Sequence, residues 1–440
     1  MSEERAKTWR LVPRAAALAC GLAAAVSCER APASTARRPN VVIVLLDAVR
    51  ADHLPLYGYP RDTAPFLTSL AARSVVFEHA YSSSGWTSPA TASLFTSLHP
   101  FQHGVIWNIR RMRESQFRFS RVPDEAETIA ESLKQAGYAT FAVSDNPSAS
   151  GLGGFDAGFD RFESASDASA TAVNRRVKEW RAELTGGRPY FLYLHYMDAH
   201  EPYLPQGRAF DEFMKDGLPN PRRDFVAAYD SEIHLLDTKV QGLFESLGWS
   251  EDTIVIVTSD HGEGFHDHGL AGHANSLYNE LMRVPLLVYS GGGFTPGRVS
   301  IPVGHVDVLP TLRELAGLPP DPRNVGWSLV PLLRRGRWDR DERPLLAHLV
   351  EFDQKQEVRA VVLGRYKLVE RRPGRAELFD LEADPAERQD LAGRHPEIVA
   401  RLRDAYDRAE AGATRYADSA HEAQLSPEAV EKLRALGYVK

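Results

Sequence analysis

Asp260 and His261 stand side by side at the end of the run Thr253-Ile254-Val255-Ile256-Val257-Thr258, with His266, His268 and His273 close behind. Four of the 15 histidines thus fall in one short segment. Carboxylate oxygen and imidazole nitrogen are the usual ligands of a hard or borderline divalent cation, so metal binding is the chemistry this segment suggests. The plainer alternative is a solvated His-rich loop that holds nothing. Glycines at 262, 264, 269 and 272 suit a loop folded tightly around something small. Other polar groups stand at comparable places: Asp47 after Asn40–Leu46, and Asp198 with His200 after Tyr190–Tyr196. In Ser84-Gly85-Trp86-Thr87-Ser88-Pro89-Ala90-Thr91-Ala92-Ser93-Leu94, Pro89 fits the first turn of a helix. That puts the Thr87 hydroxyl at a helix N-terminus, where backbone N–H groups and the dipole attract an anion. A hydroxyl beside metal ligands and an anion hole is how an oxygen nucleophile is built. The competing reading is that Thr87 or Ser88 only caps the helix.

The elements that must position these groups alternate. The six β-branched residues 253–258 need burial on both faces, as in the middle of a parallel sheet, and open α/β sheets place ligand sites at the carboxyl ends of their strands. Strands are expected at Asn40–Leu46, Tyr138–Val143, Tyr190–Tyr196, Thr253–Thr258 and Val284–Tyr289. Helices are expected at Pro65–Ala72, Pro89–Leu98, Glu125–Ala136 and Phe225–Leu247, the last stopped by Gly248. This is an α/β pattern: a large mixed, mostly parallel sheet sandwiched by helices. After about residue 335 the elements shorten, and Leu345–Leu349, Val358–Leu363, Tyr366–Glu370 and Glu377–Phe379 read as a small antiparallel sheet.

The chain of 440 residues, 43% hydrophobic and 25% charged, is ordinary for a globular protein, and its net charge of −7 leaves no basic footprint for nucleic acid. Arg5, Lys7, Arg10 and Arg14 precede an apolar run, Ala15 to Val26, too short to span a bilayer. It ends at Ala25-Val26-Ser27-Cys28, which resembles a bacterial lipoprotein box and implies export to the cell envelope or periplasm with a lipid anchor at Cys28. The alternatives are ordinary cleavage or an uncleaved anchor. Cys20 lies inside the signal, so the folded part has no cysteine, no disulfide and no cysteine nucleophile. The expected organisation is a signal peptide 1–28, a linker 29–39, a catalytic domain 40–335, an α+β subdomain 336–395 and a helical tail 396–440.

Several stretches in order resemble the sulfatase family of the alkaline phosphatase superfamily. They are Asp47-Ala48-Val49-Arg50-Ala51-Asp52 with Tyr57-Gly58-Tyr59, Thr87 to His103-Gly104, and Asp198-Ala199-His200-Glu201-Pro202-Tyr203. Ser259-Asp260-His261-Gly262-Glu263, Arg283-Val284-Pro285, His305-Val306-Asp307 with Pro310-Thr311-Leu312, Glu377-Leu378-Phe379-Asp380-Leu381 before Asp384-Pro385, and Leu433 to Tyr438 complete the series. The resemblance implies an alkaline phosphatase-like fold and a metal-dependent ester hydrolase. It also shows departures. Thr87 stands where family sulfatases carry the Cys or Ser that becomes formylglycine, and Thr91 replaces their arginine. Leu46-Asp47 replaces an aspartate pair, Ser144-Asp145-Asn146-Pro147 replaces Gly-Lys-Trp-His, and His273 replaces a late lysine.

Formylglycine hydrate has two hydroxyls, the second of which helps expel sulfate; Thr87 has one, so its ester must be broken by an incoming water or alcohol. Related phosphodiesterases and phosphoethanolamine or phosphoglycerol transferases resemble this chain in using threonine. The resemblance therefore implies cleavage of phosphate (di)esters through a covalent Thr87 intermediate. A true sulfuric ester hydrolase, a headgroup transferase and a catalytically silent envelope binding protein remain alternatives. Asp47, Thr87, Asp260 and His261 would ligate one divalent ion (zinc, manganese, calcium or magnesium). His200 and His273 would bind the transferred group, hold a second ion, or protonate the leaving group. Asn146 joins them as a substrate contact. Arg50 would orient Asp47 or neutralise substrate charge, unless it forms an ordinary ion pair. Asp198 reads as a loop-capping residue or an extra ligand, and His266 and His268 as loop-shaping. Asp230, Glu232 and Asp237, on the long helix, would face solvent or support the fold. The expected partner is a small-molecule, glycan or lipid ester.

Overall fold

The structure, a computed structural model, describes residues 38–440 apart from 107–109, 114–115, 165–168, 216–222, 251, 352–355, 417–419 and 436–440. The signal peptide, Cys28, nearly all of the linker and the Leu436-Gly437-Tyr438 end of the last matching stretch lie outside the described residues. Among the described residues no helix is long and apolar enough to cross a membrane.

The main sheet has eight strands: β1 Asn40–Leu46, β2 Ser74–Phe77, β3 Ala139–Ser144, β4 Arg161–Glu163, β5 Tyr190–Tyr196, β6 Thr253–Thr258, β7 Leu286–Ser290 and β8 Gly297–Val299. Their order is β8-β2-β7-β6-β1-β5-β3-β4, parallel except where β7 runs against β6 and β2. β1 is buried at every position and lies between β5 and β6, so neither of its faces meets water. Side chains alternate across it. Val41, Ile43 and Leu45 join Phe191, Tyr193, Ile254 and Ile256 on one face, while Val42, Val44 and Leu46 join Leu192, Leu194, Val255 and Val257 on the other.

Helices close both faces: α1 Pro65–Ala71, α2 Thr87–Thr96, α3 Ile129–Gln135, α4 Ala170–Glu179, α5 Arg223–Leu247 and α6 Val308–Leu315. The first face is covered by α2, α3 and α6, and the second by α1, α4 and α5. Each carries an apolar stripe, such as Ile233, Leu236, Val240 and Leu243 on α5, and full burial of such a side chain contributes ~1.5–3 kcal/mol.

Four antiparallel strands, β9 Leu345–Val350, β10 Glu357–Leu363, β11 Tyr366–Arg372 and β12 Ala376–Asp380, form the second sheet. One of its faces packs on α7, Pro396–Ala411, through Val399, Leu402 and Tyr406. The other packs on Tyr81, Trp86 and Tyr278, so this sheet backs the residue that precedes Thr87.

Beyond shifts of one or two residues at element ends, such as the helix expected at Pro89–Leu98 that runs Thr87–Thr96, three local expectations differ from the structure. α3 begins at Ile129 rather than Glu125, because the Thr128 hydroxyl accepts from Glu131 N while the Glu131 carboxylate reaches back to Thr128 N. The expected strand 284–289 is two pieces, since Pro285 has no N–H to continue a ladder; Arg283–Val284 pairs with Ala80–Tyr81 instead. The tail is not purely helical: Ala420–Gln424 adds to Gln116–Ser120 as a strand.

Candidate active site

Register brings the site together. Leu45 is level with Thr258 of β6 and His195 of β5, and His195 is level with Ser144 of β3. The chain leaves all four strands at the same edge, so Asp47, Asn146 and Asp260 emerge beside the His195 side chain. Thr87, the first residue of α2, meets them there. Its helix is capped by Trp86 without a side-chain bond, and Ser88 donates to Ser148 O at 2.8 Å. The hydroxyl of Thr87 is therefore not used as a cap. It lies 3.3 Å from His261 Nε2 and accepts from Asn146 Nδ2 at 3.3 Å.

The imidazoles are set by their second nitrogens. His261 Nδ1 donates to Gly262 O at 2.7 Å, which leaves the Nε2 lone pair facing Thr87. Gly262 is required there, because a Cβ on it would sit 2.0 Å from Glu280 O. Asp47 Oδ2 accepts from Asn146 Nδ2 at 2.6 Å and from His195 Nε2 at 2.8 Å. Asp260 Oδ1 accepts from the backbone of Ala48 at 3.2 Å and of His261 at 2.9 Å.

The remaining oxygens, Asp47 Oδ1 and Asp260 Oδ2, are buried and accept no hydrogen bond, yet lie 3.7 and 3.4 Å from His261 Nε2. Two buried carboxylate oxygens without hydrogen bonds, facing one imidazole nitrogen, are a costly arrangement in an apolar interior unless a cation joins them. The donor set fits a divalent ion on this ground. Asp47, His195 and Asp260 are a buried group whose ligand atoms lie within 4.8 Å of one another, close enough to hold a metal ion. Burial alone would raise the Asp47 pKa; the His195 hydrogen bond and the neighbouring imidazoles bring it well below the usual carboxylate range.

His195 was not among the residues picked from sequence. It is fully buried, it receives the Tyr193 hydroxyl on Nδ1 at 3.1 Å, and it holds Asp47 with Nε2. The available signal was its parity: His195 shares a face with Phe191 and Tyr193, the face on which α2 packs. A histidine there cannot be an ordinary surface residue.

His273 and His200 border the site, with ring centroids 4.9 Å apart, and His273 lies 4.7 Å from His261. Burial lowers the pKa of His200. It would do the same to His273, but the Glu263 carboxylate, 3.6 Å from Nδ1, raises that group to about 9. The folded pKa thus lies above the ordinary value of about 6.5, so this pair stabilises fully below pH ~6.5 and progressively less as pH rises through 9. In chelator, thermal melts are expected to show a loss of up to ~3 kcal/mol across that window. Glu263→Gln should flatten this component, and an identical slope in that variant would count against the pair.

Arg50 forms ion pairs, one of the two expectations for it. Its guanidinium is turned neither to Asp47 nor to an open cleft: it binds Asp52 through Nε (2.9 Å) and Nη2 (2.7 Å), and Asp267 Oδ2 (2.9 Å) and Glu263 O (3.0 Å) through Nη1. The fork is consumed in tying the loop after Asp260 to the turn after Asp47. Asp198 is a cap, accepting Ala170 N of α4 at 3.1 and 2.9 Å. His268 bonds Glu280 at 2.8 Å and stacks on Tyr278, and His266 adopts a left-handed turn with φ 66. Asp230 pairs with His53, Tyr59 and Arg61, and Asp237 caps α1 through Phe66 N and Leu67 N. None of the side-chain contacts just described is to Asp47, His195 or Asp260.

The sulfatase family profile matches residues 39–318, more than half of the chain. This chain belongs to the sulfatase family. Residues 267–410 also match the C-terminal region described for N-sulphoglucosamine sulphohydrolase. Among curated relatives, choline-sulfatase from Rhizobium meliloti (strain 1021) is 27% identical over 443 residues, covering 81% of this chain and 83% of that protein. Similar folds include a protein solved in complex with its substrate D-glucosamine-2-N,6-O-disulfate, with 15% identity, TM-score 0.68, and 85% of this chain and 98% of that one covered. They also include the phosphonate monoester hydrolase of Agrobacterium radiobacter, with 19% identity, TM-score 0.65, and 84% and 94% covered. The protein is accordingly a sulfatase-like hydrolase of the alkaline phosphatase superfamily. These two structural likenesses concern the fold alone.

Proposed function

We propose that this sulfatase-family hydrolase cleaves phosphate monoesters or diesters through a covalent ester of Thr87. The observation that carries the reading is the single hydroxyl of Thr87 at the centre of the site, 3.3 Å from both His261 Nε2 and Asn146 Nδ2. Threonine offers no second hydroxyl to expel the transferred group, so water must open the intermediate by attack on phosphorus or sulfur, a step that a phosphate ester of threonine accommodates. In the forward step the Thr87 Oγ–P bond forms, the ester P–O bond breaks, and the leaving oxygen takes a proton; in the second step water replaces Thr87, whose hydroxyl is regenerated.

Asp47, Asp260, His261 and the Thr87 oxygen would hold the divalent ion. When bound, such an ion lowers the hydroxyl pKa and offsets charge on the transferred group. Asn146 holds Oγ1 and Asp47 together with one amide. His273, kept protonated by Glu263, supplies the positive charge that the family lysine supplies elsewhere, and can protonate a leaving oxygen. Neutral His200 beside it can accept a proton or contact the ester.

A second reading, sulfuric ester hydrolysis with a sulfated glycan or small ester as substrate, is favoured by the names of the curated relatives, which are sulfatases. A substrate panel decides between them. With metal supplied, p-nitrophenyl phosphodiesters or phosphomonoesters should be turned over faster than p-nitrophenyl sulfate. Preference for the sulfate would establish the second reading, and turnover of neither would remove both for small esters.

A further inference from the structure

The turn that follows Asp47 is bent in a way that a residue with a Cβ resists. Ala48 has φ 58, in the left-handed region that glycine occupies freely and alanine does not. A clamp outside the turn holds it. Tyr229, on α5, donates its hydroxyl to Ala48 O at 2.8 Å and accepts from Arg50 N at 2.9 Å, so one oxygen spans the bend. The ring has no freedom to release it: Tyr229 is fully buried, with Phe265 at 4.9 Å and His53 at 5.2 Å between ring centroids.

The other side of the same turn is fastened to the second carboxylate. Ala48 N donates to Asp260 Oδ1 at 3.2 Å, and Val49 N donates to Ser259 Oγ at 3.0 Å, which itself donates to His261 O. With Ala48 in this left-handed conformation, two successive amides of the turn, Ala48 N and Val49 N, both face the segment that carries Asp260. The two oxygens without hydrogen bonds, Asp47 Oδ1 and Asp260 Oδ2, come from strands β1 and β6, and this clip sets their relative position.

We propose that the Tyr229 hydroxyl is a positioning group for metal binding, holding Ala48 left-handed so that Asp47 and Asp260 face one point. The inference rests on the reading of Asp47, Asp260 and His261 as a metal site, and concerns a residue that itself touches neither metal nor substrate. Groups bonded directly to ligands typically change metal affinity 10–100-fold when removed, and a clamp on the turn that joins two of those ligands is expected to act on the same scale.

The test is calorimetric titration of the full chain with Ca²⁺, and separately with Mn²⁺, after chelation. Tyr229→Phe should bind 10–100-fold more weakly than wild type. Tyr229→Phe/Ala48→Gly should recover most of that loss, because glycine takes the left-handed turn without the clamp. A merely structural role for the hydroxyl would not be repaired by a change at Ala48. Wild-type affinity in Tyr229→Phe, or a loss that Ala48→Gly leaves in place, overturns the inference while the metal reading stands. Absence of binding by the wild type overturns both. If Tyr229→Phe does not fold, the double variant decides: folded with near wild-type affinity it supports the inference, and unfolded or weakened it overturns it.

Discussion

Thr87→Ala is expected to remove nearly all turnover, on the order of 10³-fold or more, while leaving the fold intact. The two halves of that expectation have separate grounds. Activity should collapse because the hydroxyl is approached by both His261 Nε2 and Asn146 Nδ2, each at 3.3 Å, beside the two carboxylates. The fold should survive because the side chain caps no helix, its two contacts are long at 3.3 Å, and Asn146 keeps its 2.6 Å bond to Asp47 without it. Thr87→Ser should retain measurable activity, since a serine hydroxyl can occupy the same place. The comparison is made on whichever ester class the wild type prefers, so it does not presuppose phosphate. Full activity in Thr87→Ala, with circular dichroism and melting unchanged, would mean that water attacks the ester directly, and the covalent route would be abandoned.

How much of this was legible in the chain depends on how local each cause is. The β-branched run 253–258 fixed a doubly buried strand, and the polar pair after it had to appear at the sheet edge; both are properties of a few consecutive residues. The places of Asp47 and Thr87 were legible for the same reason, one following a buried strand and the other beside a proline in the first turn of a helix. Arg50 was not, because its fate is decided by Asp267 and Glu263 O, far away in sequence, which take the donors that a substrate would need. His195 was hidden inside an apolar strand, and only the register against β1 reveals that its ring meets Asp47. The start of α3 shifted because a capping box outcompeted the apolar pattern upstream of it. The carboxylates of α5 illustrate a further limit. A helix's periodicity tells which residues share a face, yet Asp230 and Asp237 are buried because partners such as Arg61 and the amide ends of α1 reach them.

Asp260→Asn should uncouple stability from metal in a direction that ordinary destabilising variants cannot imitate. In the wild type, Asp47 Oδ1 and Asp260 Oδ2 are two buried anionic oxygens sharing one neighbour, His261 Nε2, and neither accepts a hydrogen bond. Without a cation they repel each other in a poorly screened interior; with one they become its ligands. Metal should therefore raise the wild-type melting temperature, by an amount that grows with free ion as binding to the folded state requires, about 2.7 kcal/mol at a hundred times Kd. Asparagine keeps the Oδ1 acceptor that holds Ala48 N and His261 N, so the frame of the site persists. It replaces the anionic oxygen with an amide that cannot ligate. Melted in chelator, Asp260→Asn should be at least as stable as the wild type, since it loses a buried charge repulsion. Melted with Ca²⁺ or Mn²⁺, it should gain nothing, retain little metal by elemental analysis and turn over little substrate. A metal-dependent rise equal to that of the wild type would show that the ion sits elsewhere. A large loss of stability in chelator would show instead that Asp260 serves the fold through its charge, and that the two oxygens without hydrogen bonds are not a ligand pair.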